Sequence, residues 1–197
     1  MANPQKWYGM KYPDSDLVGM LFRFARPTGP GATALDASCG SGRHLRLLLD
    51  LGYSACGVEA DEKMVEMARQ NGLEVHHARL EDFHPSAPPD LVVAWGLMML
   101  APDAPRIIAD WRPRLVIADW RCAGSQCADW PGNQPQANGS ILLRQPGHTL
   151  DGQVYVFHRL DECELPGYER IHWQRLTKTT AAETNDWFQT VHRRREE

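Results

Sequence analysis

Ala34-Leu-Asp-Ala-Ser-Cys-Gly-Ser-Gly-Arg-His44, the leucine-rich run that follows to Gly52, and Ala55-Cys-Gly-Val-Glu-Ala-Asp61 decide the fold of this chain. An apolar run ending at Asp36 reads as a short strand, and Gly40 and Gly42 read as a tight turn that opens a helix. A second strand then ends in an acid, Glu59, about twenty residues on. Strand, glycine turn, helix N-terminus and distal carboxylate are the parts of a nucleoside-cofactor site. Backbone N–H groups hold an anionic or zwitterionic group, and the acid takes a ribose. A dinucleotide fingerprint would need a third glycine three positions after Gly42, and Leu45 stands there, so the dinucleotide reading is weak.

Outward from this segment, 197 residues with 43% hydrophobic content suit a single α/β domain with a real core. No run approaches the roughly 20 apolar residues of a membrane span, and the first residues carry no apolar signal region, so a cytoplasmic location with no membrane partner is expected. A net charge of −4 lacks the excess of a dedicated nucleic-acid binder. The one dense basic cluster, His192 to Arg195, reads as a solvated tail. Five cysteines without a Cys-x-x-Cys spacing argue against a disulfide framework and a structural zinc site. The adjacent pair His76-His77 falls on a strand, where neighbours face opposite sides, and no metal site is expected.

The pattern predicts an aromatic N-terminal lid (Trp7, Tyr8, Tyr12), then a helix over 17–24 capped by Asp14, Ser15 or Asp16. Helices over 43–51 and 61–70 follow, stopped by Gly52 and by Asn71-Gly72. Apolar runs at 75–78, 91–94 and 115–118 read as strands buried on both faces, with helices in the gaps, most clearly at 104–111. Residues 122–152, rich in Gly, Pro, Asn and Gln, read as a variable loop of the kind that carries function. A short apolar segment at 153–158, a small helix at 161–165 and a closing hairpin of strands at 170–179 and 185–192 complete the chain.

On the glycine turn and this order of elements, the chain resembles the class I (Rossmann-like) S-adenosylmethionine-dependent methyltransferases. The resemblance implies one doubly wound domain over 1–197, with a seven-stranded, mostly parallel sheet ending in a C-terminal antiparallel hairpin. It implies S-adenosyl-L-methionine as cofactor and S-adenosyl-L-homocysteine as product. Asp36, Ser38, Gly40 and Gly42 would hold the methionine part, and Glu59, followed by Ala60, the ribose. Leu80 would lie against adenine with Glu81 or Asp82 accepting from its amino group, and Ala94 and Trp95 would stand beside the sulfonium. Ser38 replaces the first glycine of the pattern, which is harmless at negative φ and strained at positive φ.

Methyl transfer from a sulfonium needs alignment and exclusion of water, and a base only where the acceptor must lose a proton. Asp119, at the end of the fifth strand, and His148, in the variable loop, are the candidates. No Asp/Asn-Pro-Pro-Tyr follows the fourth strand, where Trp95-Gly96-Leu97-Met98 stands, and no Pro-Cys pair either, which argues against methylation of DNA adenine or of cytosine C5. Substrate choice falls to the N-terminal aromatics Trp7, Tyr8 and Tyr12, to the segment from Trp95 to Leu100, and to the 122–152 loop; with Trp120 and Trp130, these aromatics suit a small flat or apolar acceptor at O or N. RNA or protein methylation, or a cofactor-binding module with altered activity, are the alternatives. The sequence leaves the oligomeric state open.

Overall fold

The computed structural model describes residues 12–148, 150–179 and 183–196. Asp14 caps the first helix, α1 (Ser15–Phe24), its carboxylate accepting from the Asp16 N–H at 3.0 Å. The alternation then begins: β1 (Thr33–Ala37), α2 (Arg43–Asp50), β2 (Ser54–Glu59), α3 (Glu62–Gln70), β3 (Val75–His77), β4 (Leu91–Ala94), α4 (Ala104–Asp110) and β5 (Leu115–Arg121). Asp61 caps α3 by accepting from the Met64 N–H at 3.0 Å. Between β3 and β4 there is only a 3₁₀ turn, Leu80–Asp82, where a helix was expected.

The 122–152 region is not a bare loop. It builds a small antiparallel sheet, β6 (Gln134–Pro135), β7 (Ile141–Leu142) and β8 (Val154–Tyr155), over a core of Met99, Cys127, Leu143, Leu150 and Tyr155. The helix expected at 161–165 is a single 3₁₀ turn, Leu160–Glu162. The long strands β9 (Tyr168–Thr179) and β10 (Thr184–Arg194) then close the chain. Residues 192–194 therefore belong to the sheet rather than to a solvated tail. His192 is fully buried, its Nε2 at 2.9 Å from the Thr190 hydroxyl.

The main sheet runs β3-β2-β1-β4-β5-β10-β9, with β10 antiparallel to both neighbours and the other pairs parallel. Alternation divides the buried strands between two cores. Leu91, Val93 and Ile117 pack with α1 and Leu48 of α2, while Val92, Ala94 and Val116 pack with Ala104 and Ile108 of α4 on the other face. Strand order reverses at β1, between β2 and β4. The carboxyl ends of these strands open a crevice there, where open α/β sheets take ligands.

Candidate functional site

At the end of β1 the chain makes two backbone bonds to the neighbouring strand: the Ser38 and Cys39 N–H groups both donate to the Val58 carbonyl, at 2.9 and 3.0 Å. This folds the glycine turn against the tip of β2. Glu59 locks the turn in place, its Oε2 accepting from the Gly40 N–H and its Oε1 from the Ala60 and Asp61 N–H groups, all at 2.9 Å. Ser38, Gly40 and Gly42 all take positive φ, at 71°, 55° and 89°. For Gly42 the requirement is double, since a Cβ there would lie 2.1 Å from Leu73 Cδ1. For Ser38 the strained alternative holds, because an L-residue pays for left-handed backbone that glycine adopts freely. Cys39 faces the core, its Sγ packed over Gly57.

Asp36 is buried at 1% exposure, and neither carboxylate oxygen has a hydrogen-bond partner. Burial pushes its pKa up to about 7, the Glu59 charge adds to this, and Arg43 and the Leu45 N–H pull the other way. A buried carboxyl without a donor is unfavourable unless a ligand completes it. Arg43 is half-buried, feels the carboxylates of Asp14, Asp36 and Asp119, and donates to the Tyr12 carbonyl at 3.2 Å. His44 is held neutral by burial, which takes its pKa down to about 3, and its Nε2 accepts from the Asp14 N–H at 3.3 Å. The start of α2 thus ties α1 to the glycine turn.

Two strands away, Asp119 lies near the end of β5. It is 5% exposed, and its Oδ1 accepts from the Gly96 N–H at 2.5 Å. Burial raises its pKa to about 7, against the pull of that hydrogen bond; the Asp14 charge adds to the rise and Lys178 opposes it. Lys178, from β9, stands 3.5 Å from Asp14. Asp36, Arg43, Asp14 and Asp119 therefore form one electrostatic group along the carboxyl edge of β1, β4 and β5.

The other sequence-derived positions divide. Leu80 and Ala94 are buried in the core on the α4 side, at 9% and 0% exposure. Trp95 is 8% exposed and edge-on to His44, with ring centroids 6.5 Å apart. Ala60 lends its N–H to Glu59. Glu81 is turned to solvent and paired with Arg79 at 2.7 Å. Tyr12 is 82% exposed, while Tyr8 lies outside the described residues. Trp120 does not line a cleft: its fully buried indole donates to the Thr190 hydroxyl at 2.8 Å and stands edge-on to His158, on the α4 face of the sheet. His148 is drawn to the small sheet, where it packs on Trp130 and lies 3.6 Å from Glu183. Arg43, His44, Asp14 and Lys178 were not singled out from sequence. For Arg43 and His44 the signal was their place directly after the glycine turn; for Lys178, more than 160 residues from Asp14, there was none.

Residues 34–116 match the family model described as a methyltransferase domain. The fold is similar to that of an S-adenosylmethionine-dependent methyltransferase from Mesorhizobium loti, with a TM-score of 0.66, 17% identity and coverage of 92% of this chain and 98% of that one. It is also similar to an S-adenosylmethionine-dependent methyltransferase from Methanosarcina mazei, at a TM-score of 0.64, 16% identity and coverage of 94% and 100%. For the magnesium protoporphyrin IX methyltransferase of Synechocystis, solved with bound S-adenosylmethionine, the values are 0.58, 14%, and 89% and 76%. No curated protein matches the chain at a significant level.

Proposed function

We propose that this chain, whose residues 34–116 match a methyltransferase-domain model and whose fold is similar to that of S-adenosylmethionine-dependent methyltransferases, transfers a methyl group from that cofactor to an oxygen or nitrogen of a small-molecule acceptor. The observation that carries the cofactor assignment is the orphaned, buried carboxyl of Asp36 beside a glycine turn organised by Glu59. A carboxyl with no donor fits a ligand that brings an ammonium group, as the methionine end of S-adenosylmethionine does. Of roughly four acceptor positions on the Glu59 carboxylate, three are occupied by backbone N–H groups, which leaves room for a single ribose hydroxyl.

Bound S-adenosylmethionine supplies an activated methyl group, so the protein's own work is alignment and dryness. Asp36 orients the methionine end. Trp95, directly after β4, stands at the crevice end of that strand, with Ala94 packed in the core behind it. Asp119, held by the Gly96 N–H and with a pKa raised to about 7, is the group poised to accept a proton from an acceptor hydroxyl. The small-molecule reading is supported by where the basic residues lie. Arg112, Arg114 and, from the dense basic cluster at the sequence's end, Arg193, Arg194 and Arg195 gather around the amino end of β5, at the edge opposite the crevice, where they do not frame the site.

Calorimetry with S-adenosylmethionine and S-adenosylhomocysteine tests the cofactor. Absence of heat for both would remove the assignment. Transfer of a radiolabelled methyl group across small hydroxyl and amine acceptors, compared with bulk RNA and protein, tests the acceptor class, and labelling of macromolecules alone would overturn the small-molecule reading.

A further inference from the structure

We propose that Arg121, one strand step beyond Asp119, is the anchor for a carboxylate on the methyl acceptor, so that the acceptors are small organic acids. The inference rests on the methyltransferase reading above and names the acceptor's class. Side chains alternate along β5, and Asp119 and Arg121 therefore share a face, their Cα atoms about 6–7 Å apart. Register with β10 places Gln189 opposite Asp119 and Trp187 opposite Arg121 on that same face, the one covered lower down by α1. Arg121 thus continues the line from Asp119 on the acceptor side of the crevice.

Arg121 is 5% exposed and its Nε has no hydrogen-bond partner. Its guanidinium lies 4.3 Å from the centroid of the Trp187 ring and 6.0 Å from that of Tyr155, and Nη2 donates to Cys127 Sγ at 3.2 Å. None of these neighbours carries a negative charge: burial pushes the Cys127 thiol and the Tyr155 phenol up, so both stay neutral. Among the described residues Arg121 forms no ion pair. Asp186 feels its charge but is bonded to Arg175 and Thr177, each at 2.5 Å, and Glu183 stands 3.6 Å from His148.

Asp186 and Glu183 lie near enough for their charges to reach this pocket, but neither forms an ion pair with the guanidinium; a cation taken out of water with no counterion in contact is costly, and arginine cannot relieve the cost by losing its proton. The guanidinium fork matches a carboxylate in two parallel hydrogen bonds. A single buried guanidinium balances one negative charge, which favours a carboxylate over a phosphate dianion. With Trp187 and Tyr155 flanking the anchor, a flat acid carrying its hydroxyl or amine toward Asp119 fits the arrangement.

The test is calorimetric binding of the isomeric hydroxybenzoates and aminobenzoates, each against its primary amide, to the full chain saturated with S-adenosylhomocysteine. Expected is at least one acid bound tenfold or more tightly than its amide, with that ratio falling close to one in Arg121→Met while S-adenosylhomocysteine affinity stays unchanged. Arg121→Lys, which keeps the charge and loses the fork, should fall between and serves if the Met variant does not fold. A role limited to stacking the small sheet onto β10 would lower stability and leave the acid-to-amide ratio alone. Equal binding of acids and amides by the wild type, or a ratio preserved in Arg121→Met, overturns the proposal. Failure of the wild type to bind S-adenosylhomocysteine at all would instead overturn the methyltransferase reading on which it stands.

Discussion

Replacing Ser38 by glycine should stabilise the protein. Ser38 sits at φ 71°, between β1 and a turn whose other positive-φ positions, Gly40 and Gly42, are glycines. An L-residue in this region costs about 1–2 kcal/mol. Glycine removes that strain but adds unfolded-state entropy, which takes back about 0.4–1 kcal/mol. Both the Ser38 and Cys39 N–H bonds to the Val58 carbonyl are made by backbone and survive the change. The net gain is then on the order of 0.5–1 kcal/mol, or about 1–4 °C in Tm for a chain of this size. Urea and thermal unfolding of the ligand-free protein measure it. Ser38→Ala is the control, since alanine keeps the Cβ and its strain: it should leave stability near the wild-type value. Equal stabilisation by alanine and glycine, or a loss with glycine, would refute the argument from φ.

Gly42→Ala should destabilise by roughly 2 kcal/mol or more, because the new Cβ meets Leu73 Cδ1 in a backbone already at φ 89°; a variant as stable as wild type in urea would show that the turn can shift. Glu59→Ala should weaken S-adenosylmethionine binding by about 1–3 kcal/mol, the scale of a lost hydrogen-bonding partner, and should also lower Tm, since three N–H groups lose their acceptor. Unchanged affinity by calorimetry would mean that the ribose lies elsewhere. Burial raises the folded pKa values of Asp36 and Asp119 from the ordinary 3.8 to about 7, so the folded chain keeps protons that the unfolded chain has lost over that interval. Their protonation supports the fold fully below about pH 4, and that support is lost as pH rises through 7. Ligand-free stability should therefore fall between pH 5 and 7 by on the order of 5 kcal/mol and level off above that, and Asp36→Asn should about halve the fall; a flat wild-type profile would contradict the burial argument. For a hydroxyl acceptor, kcat should rise through pH 7 and Asp119→Asn should abolish the rise with S-adenosylmethionine affinity intact, as seen in a pH–rate profile.

The parts of this protein set by local pattern were legible in the sequence. The end of β2 at Glu59, the end of β1 one residue past the expected Asp36, the stop at Gly52 and the both-face burial of β4 and β5 follow from apolar runs and glycine punctuation within a few residues. The doubly buried strands could not say which face each residue takes, and that is why Trp120 was placed in the crevice while the sheet puts it on the α4 side. Polarity misled in the 122–152 region. Strands of two residues leave too short an alternation to read, and their core is assembled from Met99, Cys127 and Leu150, which lie far apart in the chain. The basic residues at the end of β10 looked like a tail because a strand's last residues, Arg193 and Arg194, face solvent even though the ladder to β9 holds them.

Asp36 and Asp119 make the division of labour in the crevice a physical one. Both are buried carboxyls with pKa values near 7, so burial alone does not tell them apart. Their partners do. Asp119 already has a backbone donor in Gly96, which fixes its oxygen in place, as the proton acceptor of the proposed reaction would need. Asp36 has none within hydrogen-bond distance, the Leu45 N–H acting on it only weakly, and it sits behind a turn whose geometry is maintained by Glu59, so a donor brought from outside would complete it. A cation arriving at Asp36 would draw that carboxyl into its charged form.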